Sequence, residues 1–165
     1  MQPQQELVLR FLAEPQHVNF GGKVHGGQVL KWIDQAGFAC ASAWSGCYCV
    51  TAYVGSVRFE APILIGDIVD VRAEVIMTGC TSMHIAVDVS ARDPKVQAIR
   101  RTTHCVLVFV ALDEALKPKP VPPLEPENEA QRARWVYAEK LKALELQAQQ
   151  RRFELAALLM STSAG

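Results

Sequence analysis

The chain reads as an α+β fold: an antiparallel sheet wrapped around one long central helix, with a C-terminal helical extension. Three observations predict it. A glycine-rich stretch, holding Gly21-Gly22 and Gly26-Gly27, is followed by a run of helical period. Several runs of strict period two come next, as half-buried antiparallel strands require. Beyond a proline-rich stretch lies a last run without glycine or proline, rich in Ala, Leu, Glu, Gln, Lys and Arg.

Taken in order, Glu6 to Ala13 is a short apolar-rich segment, either an edge strand or one helical turn. Residues 18–27 form a loop. From Gln28, Leu30, Ile33, Gly37, Cys40, Ala41 and Trp44 recur at three- and four-residue steps, the mark of a helix with one buried face, and Ser45-Gly46 ends it. Four strands are expected after it. Tyr53, Val57 and Phe59 alternate with polar or outward residues. Val69, Val71, Ala73, Val75 and Met77 do the same, as do Ile85, Val87, Val89 and Ala91. The run Ile99 to Leu112 is β-branched and more uniformly apolar, as a central strand would be. These elements divide the chain into a domain over 6–116, a proline-rich linker over 117–126 that cannot continue a sheet, and a helix over 127–160, roughly 50 Å long. The helix carries a narrow stripe (Leu141, Leu144, Ala148, Leu155, Leu158) interrupted by Arg151, which fits a partner surface or, in its last turns, a solvated helix that frays.

Composition narrows the functions. The 165 residues suit one domain with a tail. Lys plus Arg and Asp plus Glu number 17 each, so the zero net charge predicts neither a nucleic-acid nor a membrane partner. The polar opening 1–6 reads as no secretory leader, and no apolar run approaches the ~20 residues of a membrane span. Five cysteines, odd in number and set in apolar stretches, fit free thiols in a reducing compartment, so the cytoplasm is expected. The four histidines are scattered without metal-ligand spacing, and no metal is expected. Gly-x-Ser-x-Gly, phosphate-loop and dinucleotide-binding motifs are absent from the sequence.

Asp34 stands four residues after Leu30 and three before Gly37, which places it on the apolar face of the helix. A carboxylate there is costly unless paired, hydrogen-bonded or catalytic. Almost two turns into the helix, it is too far in to serve the N-terminal dipole. A functional Asp34 is therefore expected. Gly26 and Gly27 precede the helix, where free N–H groups suit an oxyanion or carbonyl oxygen; a tight turn is the simpler reading of the same pair. His25 reads as a general base or a structural hydrogen-bonder, and Asn19 as an orienter of water or carbonyl or an Asx-turn residue. Arg58, Arg100 and Arg101 are candidate phosphate binders or solvated cations. Thr81-Ser82 reads first as a hairpin turn, then as a hydroxyl pair near a ligand.

Four stretches together resemble the hotdog acyl-CoA hydrolases of the bacterial and brain cytosolic type. They are Asn19 to Gly27 with Leu30 to Asp34, Val57 to Asp67 with its Pro62 and Gly66-Asp67, Gly79 to Met83, and Leu112 to Leu124 followed by the helix holding Tyr137, Ala138 and Lys140. The resemblance implies hydrolysis of fatty acyl-CoA to free fatty acid and CoA without cofactor or metal. It implies that Asp34 is general base or nucleophile, that Asn19 positions thioester or water, and that the Gly27 N–H polarises the carbonyl. His25, Gly26, Arg58, Thr81, Ser82, Arg100 and Arg101 would bind substrate. It further implies sites shared between two subunits, Asn from one and Asp from the other, in a homodimer assembled as a trimer of dimers. The alternative is a non-enzymatic acyl-CoA-binding hotdog protein, which would lack the polar pair. A hotdog hydratase would need an Asp-His pair before the helix, and His17 and His25 lack the partners for it.

Overall fold

The computed structural model describes residues 3–96 and 98–162. Strand β1 spans Glu6–Leu12, and a single 3-10 turn, Pro15–His17, leads toward helix α1 over Gly26–Ser45. Then come β2 (Tyr48–Val54), β3 (Arg58–Phe59), β4 (Ile68–Thr78), β5 (Ser82–Arg92), β6 (Ile99–Leu112) and helix α2 (Glu129–Thr162). Every strand pairing is antiparallel. The sheet order is β1-β4-β5-β6-β2, with β3 beside β6, and α1 lies across the inner face.

The segment at Glu6 is an edge strand. Its alternate residues turn toward the helix, and the Phe11 ring stacks on Trp32 with centroids 5.2 Å apart. Val69, Val71, Ala73 and Val75 of β4, Ile85, Val87 and Val89 of β5 and Leu107 and Phe109 of β6 are buried on the inner side. Each such aliphatic side chain contributes about 1.5–3 kcal/mol by leaving water.

Helix α1 begins two residues before the expected Gln28, so the glycines are its first turn. Gly46, in the left-handed region at φ 67°, ends it by donating its N–H to the Ser42 carbonyl. The buried face is Val29, Trp32, Ile33, Ala36, Gly37, Cys40, Ala41 and Trp44. This corrects the sequence reading at two positions. Leu30 and Asp34 are exposed and form, with exposed Phe38, a separate row at i, i+4 and i+8. One residue turns about 100° around a helix, so Leu30 next to buried Val29 is carried off the core face, and Asp34 with it.

Gly37 is where the helix comes closest to the sheet. A Cβ there would meet Leu107 Cδ1 and Phe109 Cε2 at 2.7 Å. Overpacking of a core costs about 1–3 kcal/mol, against about 1 kcal/mol gained from helix propensity. Gly37→Ala is therefore expected to lower Tm by a few degrees at fixed protein concentration, as read by calorimetry. A raised Tm would show that the helix–sheet gap is not filled.

The first of the four expected strands is two. The chain breaks at Gly55, whose N–H donates to Val106 O at 3.0 Å and whose Cβ would lie 2.7 Å from that oxygen. The outer face also departs from simple solvation: Glu74, Ile76, His84 and Val106 are buried at one end of it. The proline-rich stretch is held down through the N–H groups of its non-proline residues and one proline carbonyl. Lys119 N–H donates to Ala111 O, Val121 N–H to Cys80 O and Leu124 N–H to Thr78 Oγ1, while Trp44 Nε1 donates to Pro122 O at 2.9 Å. The first compact unit accordingly runs to Glu125 and the second starts at Pro126. In the second, Gln131 N–H donates to Asn128 Oδ1, as a helix cap requires. Leu144 and Leu155 are each 61% exposed, and the Leu158 side chain lies outside the described residues.

Candidate active site

Asn19 is built into the turn that precedes α1. Its Oδ1 accepts the N–H groups of Gly21 at 2.9 Å and Lys23 at 3.3 Å, and its own N–H donates to Lys23 O at 2.8 Å. Gly22 takes φ 71°, which this turn needs and which favours glycine. Two donors on the side-chain oxygen fix it as the oxygen, so the Nδ2 amide points outward as a donor. Asn19 is therefore an Asx-turn residue and, by the same geometry, an exposed donor. Phe20 beside it is fully exposed.

At the helix start, His25 N–H donates to His17 O, while Gln28 and Val29 N–H donate to His25 O. The N–H groups of Gly26 and Gly27 precede the first helical bond and point out of the helix end. The His25 side chain makes no capping bond. The Phe59 ring lies over Gly26, where a Cβ would meet Cζ at 3.2 Å, whereas a Cβ on Gly27 would meet nothing within 4 Å. His17 is committed to structure: Nδ1 accepts the Glu14 N–H, and the ring meets Trp32 edge-on at 5.2 Å.

Asp34 has one partner that sequence reasoning missed. Thr51 Oγ1, on β2, donates to Asp34 Oδ1 at 2.6 Å. Further along the same row, the Phe38 and Tyr48 rings meet edge-on at 6.1 Å, so β2 runs beside the open row of α1. Among the described residues no hydrogen bond joins Asn19 to Asp34. Gly27 and Asp34 stand seven residues apart on one helix, roughly 10 Å along its axis, so one carbonyl group cannot touch both within a chain.

The remaining candidates are dispersed. Arg100 Nη2 donates to Asp67 Oδ2 at 2.5 Å, with the Asp67 side chain 3% exposed. Arg101 pairs with Asp88 on the surface at 3.0 Å, a contact that contributes little. The hydrogen bond from His104, followed by the charges of His104 and Arg101, holds the Asp88 carboxyl below its usual range. Arg58 is exposed and stands opposite His104. Thr81 closes the β4–β5 hairpin and Ser82 opens β5. Ser82 pairs with Val110 and Ser90 with Arg101, so eight strand residues, roughly 27 Å, separate that hairpin from Arg101. Burial pushes the Cys40 and Cys105 thiols up to about 12 and also raises that of Cys49. Among the described residues no group of three or more His, Cys, Asp or Glu could hold a metal ion.

A carboxylate held by a hydroxyl on the open row of α1, and free backbone N–H groups at its start, are groups that can serve general-base and oxyanion chemistry. Comparison with known proteins narrows that chemistry. The profile of the thioesterase superfamily matches residues 21–98. The acyl-CoA thioester hydrolase YciA of Salmonella typhimurium strain LT2 is 32% identical over 73% of this chain and 92% of its own. A hexameric acyl-CoA thioesterase solved in its apo form superposes with TM-score 0.85 at 30% identity, covering 90% of this chain and 98% of that one. The acyl-CoA hydrolase of Staphylococcus aureus, solved with butyryl-CoA and CoA, gives TM-score 0.79 at 30% identity over 92% and 94%. That hydrolase has also been solved with an aspartate, an asparagine or a threonine replaced by alanine. The chain belongs to the acyl-CoA thioester hydrolases of the thioesterase superfamily.

Proposed function

We propose that two copies of this chain hydrolyse fatty acyl-CoA to free fatty acid and CoA at sites they build together. Asn19 and Gly27 come from one copy, Asp34 and Thr51 from the other. The separation of Gly27 from Asp34 along a single helix carries this reading, since the oxyanion donor and the carboxylate must converge on one thioester. The spacing of the replaced residues in the Staphylococcus aureus hydrolase supports it: asparagine, aspartate and threonine stand 15 and 17 positions apart there, as Asn19, Asp34 and Thr51 do here.

In this site Thr51 holds Asp34 Oδ1, leaving Oδ2 to take a proton from water. The hydroxide formed attacks the thioester carbon. The tetrahedral oxyanion is met by the Gly27 N–H and the Asn19 amide, and collapse expels CoA thiolate, which takes the proton that Asp34 holds. His25 and Gly26 border the helix start, and the exposed Arg58 and Arg101 offer charge to the nucleotide phosphates. Three such dimers form the particle, in line with the hexameric relative. Among the described residues no helix is long and apolar enough to cross a membrane. The five free thiols support a reducing compartment, and we assign the cytoplasm.

A thiol-release assay over a chain-length series of acyl-CoAs tests the proposal. Turnover should persist in EDTA, and the protein should elute well above its 18.2 kDa subunit mass. Loss on chelation that zinc restores would overturn the metal-free mechanism. Acyl-CoA binding without any thiol release would leave the non-enzymatic alternative.

A further inference from the structure

Buried Asp67, 2% exposed, takes no part in the site described so far, and neither does the Pro62 to Asp67 stretch that contains it. Its Oδ2 accepts two donors at once, Arg100 Nη2 at 2.5 Å and the Leu64 N–H at 2.8 Å. The backbone of the same turn is bracketed as well. Asp67 N–H donates to Leu64 O, Ala13 N–H to Asp67 O and Gly66 N–H to Ala13 O, all within 3.1 Å. This fixed turn then meets the loop of Asn19. The carbonyl of Ile63 accepts the Val24 N–H at 2.9 Å, and Leu64 forms a β-bridge with Lys23. Lys23 in turn binds both the N–H and the Oδ1 of Asn19. Hydrogen bonds joined by short stretches of backbone thus connect a guanidinium on β6 to the candidate catalytic amide.

We propose that Asp67 and Arg100 are a positioning pair that sets the geometry of Asn19 through the 62–67 turn. The loop at residues 19–25 holds Gly21 and Gly22 and makes only a few hydrogen bonds of its own, so its shape depends also on the strand and turn it leans on. Asp67 is buried and Arg100 half-buried, and such a pair is a poor source of stability compared with apolar packing, but a carboxylate shared between a guanidinium and a backbone N–H fixes direction. A misplacement of about 1 Å in a catalytic group can cost 10²-fold in rate. The role given to Arg100 here replaces phosphate binding, since its charge is engaged inward.

This inference rests on reading Asn19 as catalytic, and the experiment separates the two. Arg100→Gln and the charge-keeping Arg100→Lys are made in the wild-type and Asn19→Ala proteins. For the intact oligomer, kcat and KM are measured on one acyl-CoA, and backbone amide exchange is followed at Gly21, Lys23 and Val24. Arg100→Gln is expected to lower kcat by about 10–100-fold with KM unchanged, and Arg100→Lys to recover part of it. In the Asn19→Ala background the same change should cost less than about threefold, because coupled residues are not additive. Exchange should quicken at Gly21 to Val24 while β5 keeps its protection. Equal losses in both backgrounds, a rise in KM alone, or quickened exchange across β4 to β6 would overturn the proposal. If Asn19→Ala itself keeps wild-type kcat, the catalytic reading of Asn19 fails, and the exchange at Gly21 to Val24 alone decides whether the pair holds the loop. Should Arg100→Gln not fold, Arg100→Lys decides by the same readouts.

Discussion

Asp34→Asn is expected to lose about 10²–10⁴ in kcat, the range for a general base, with the fold unchanged. The substitution is nearly isosteric. Asp34 is exposed on α1, so no buried charge is left unpaired by the change. The Thr51 hydroxyl can still donate to the amide oxygen, which keeps the side chain in place. What disappears is the ability to accept a proton from water. Circular dichroism and elution volume should match the wild type while thiol release falls. Near-native kcat would return Asp34 to a structural role and remove the centre of the proposed mechanism.

Mixed oligomers give the second large effect, a recovery. Asn19→Ala and Asp34→Ala proteins made separately should each be nearly inactive, because every site lacks one group. When the two are co-expressed, a mixed dimer concentrates both defects in one site and leaves the other complete. Random pairing makes half of the dimers mixed, each with one good site of two, so activity should return to about one quarter of wild type under two-fold symmetry. Co-expression or joint refolding is needed, because a stable oligomer exchanges slowly. Verified mixed dimers without recovery would place both residues in one chain and exclude the shared site, leaving thioester hydrolysis intact.

The sheet around one helix was legible because its signals are local: the switch from period 3.6 to period two, and glycines at the turns. Asn19, Gly27 and Asp34 were singled out from the sequence as candidates, Asp34 for a partly mistaken reason. Leu30 is apolar yet faces outward, and it drew Asp34 onto the wrong face of the helix. What folding adds at Asp34 is its partner Thr51, which comes from another element. Thr51 was missed because alternation in that strand is broken by a register shift between Thr51 and Tyr53, so the strand was read from Tyr53 onward. Arg58, Arg100 and Arg101 looked alike in sequence. Only folding separates them, since Arg100 meets its carboxylate 33 residues away in the chain.

The open edge of the sheet bears on how the protein is made. Strand β2 ends the strand order, and its seven residues hold no proline and no charge, with Tyr48 57% and Val54 46% exposed. Natural edges are usually blunted by such residues, because bare backbone donors and acceptors invite another strand. A subunit with this edge uncovered is therefore open to pairing with another strand. Because such pairing rises with subunit concentration, rapid synthesis should favour precipitation and slow synthesis should favour soluble protein.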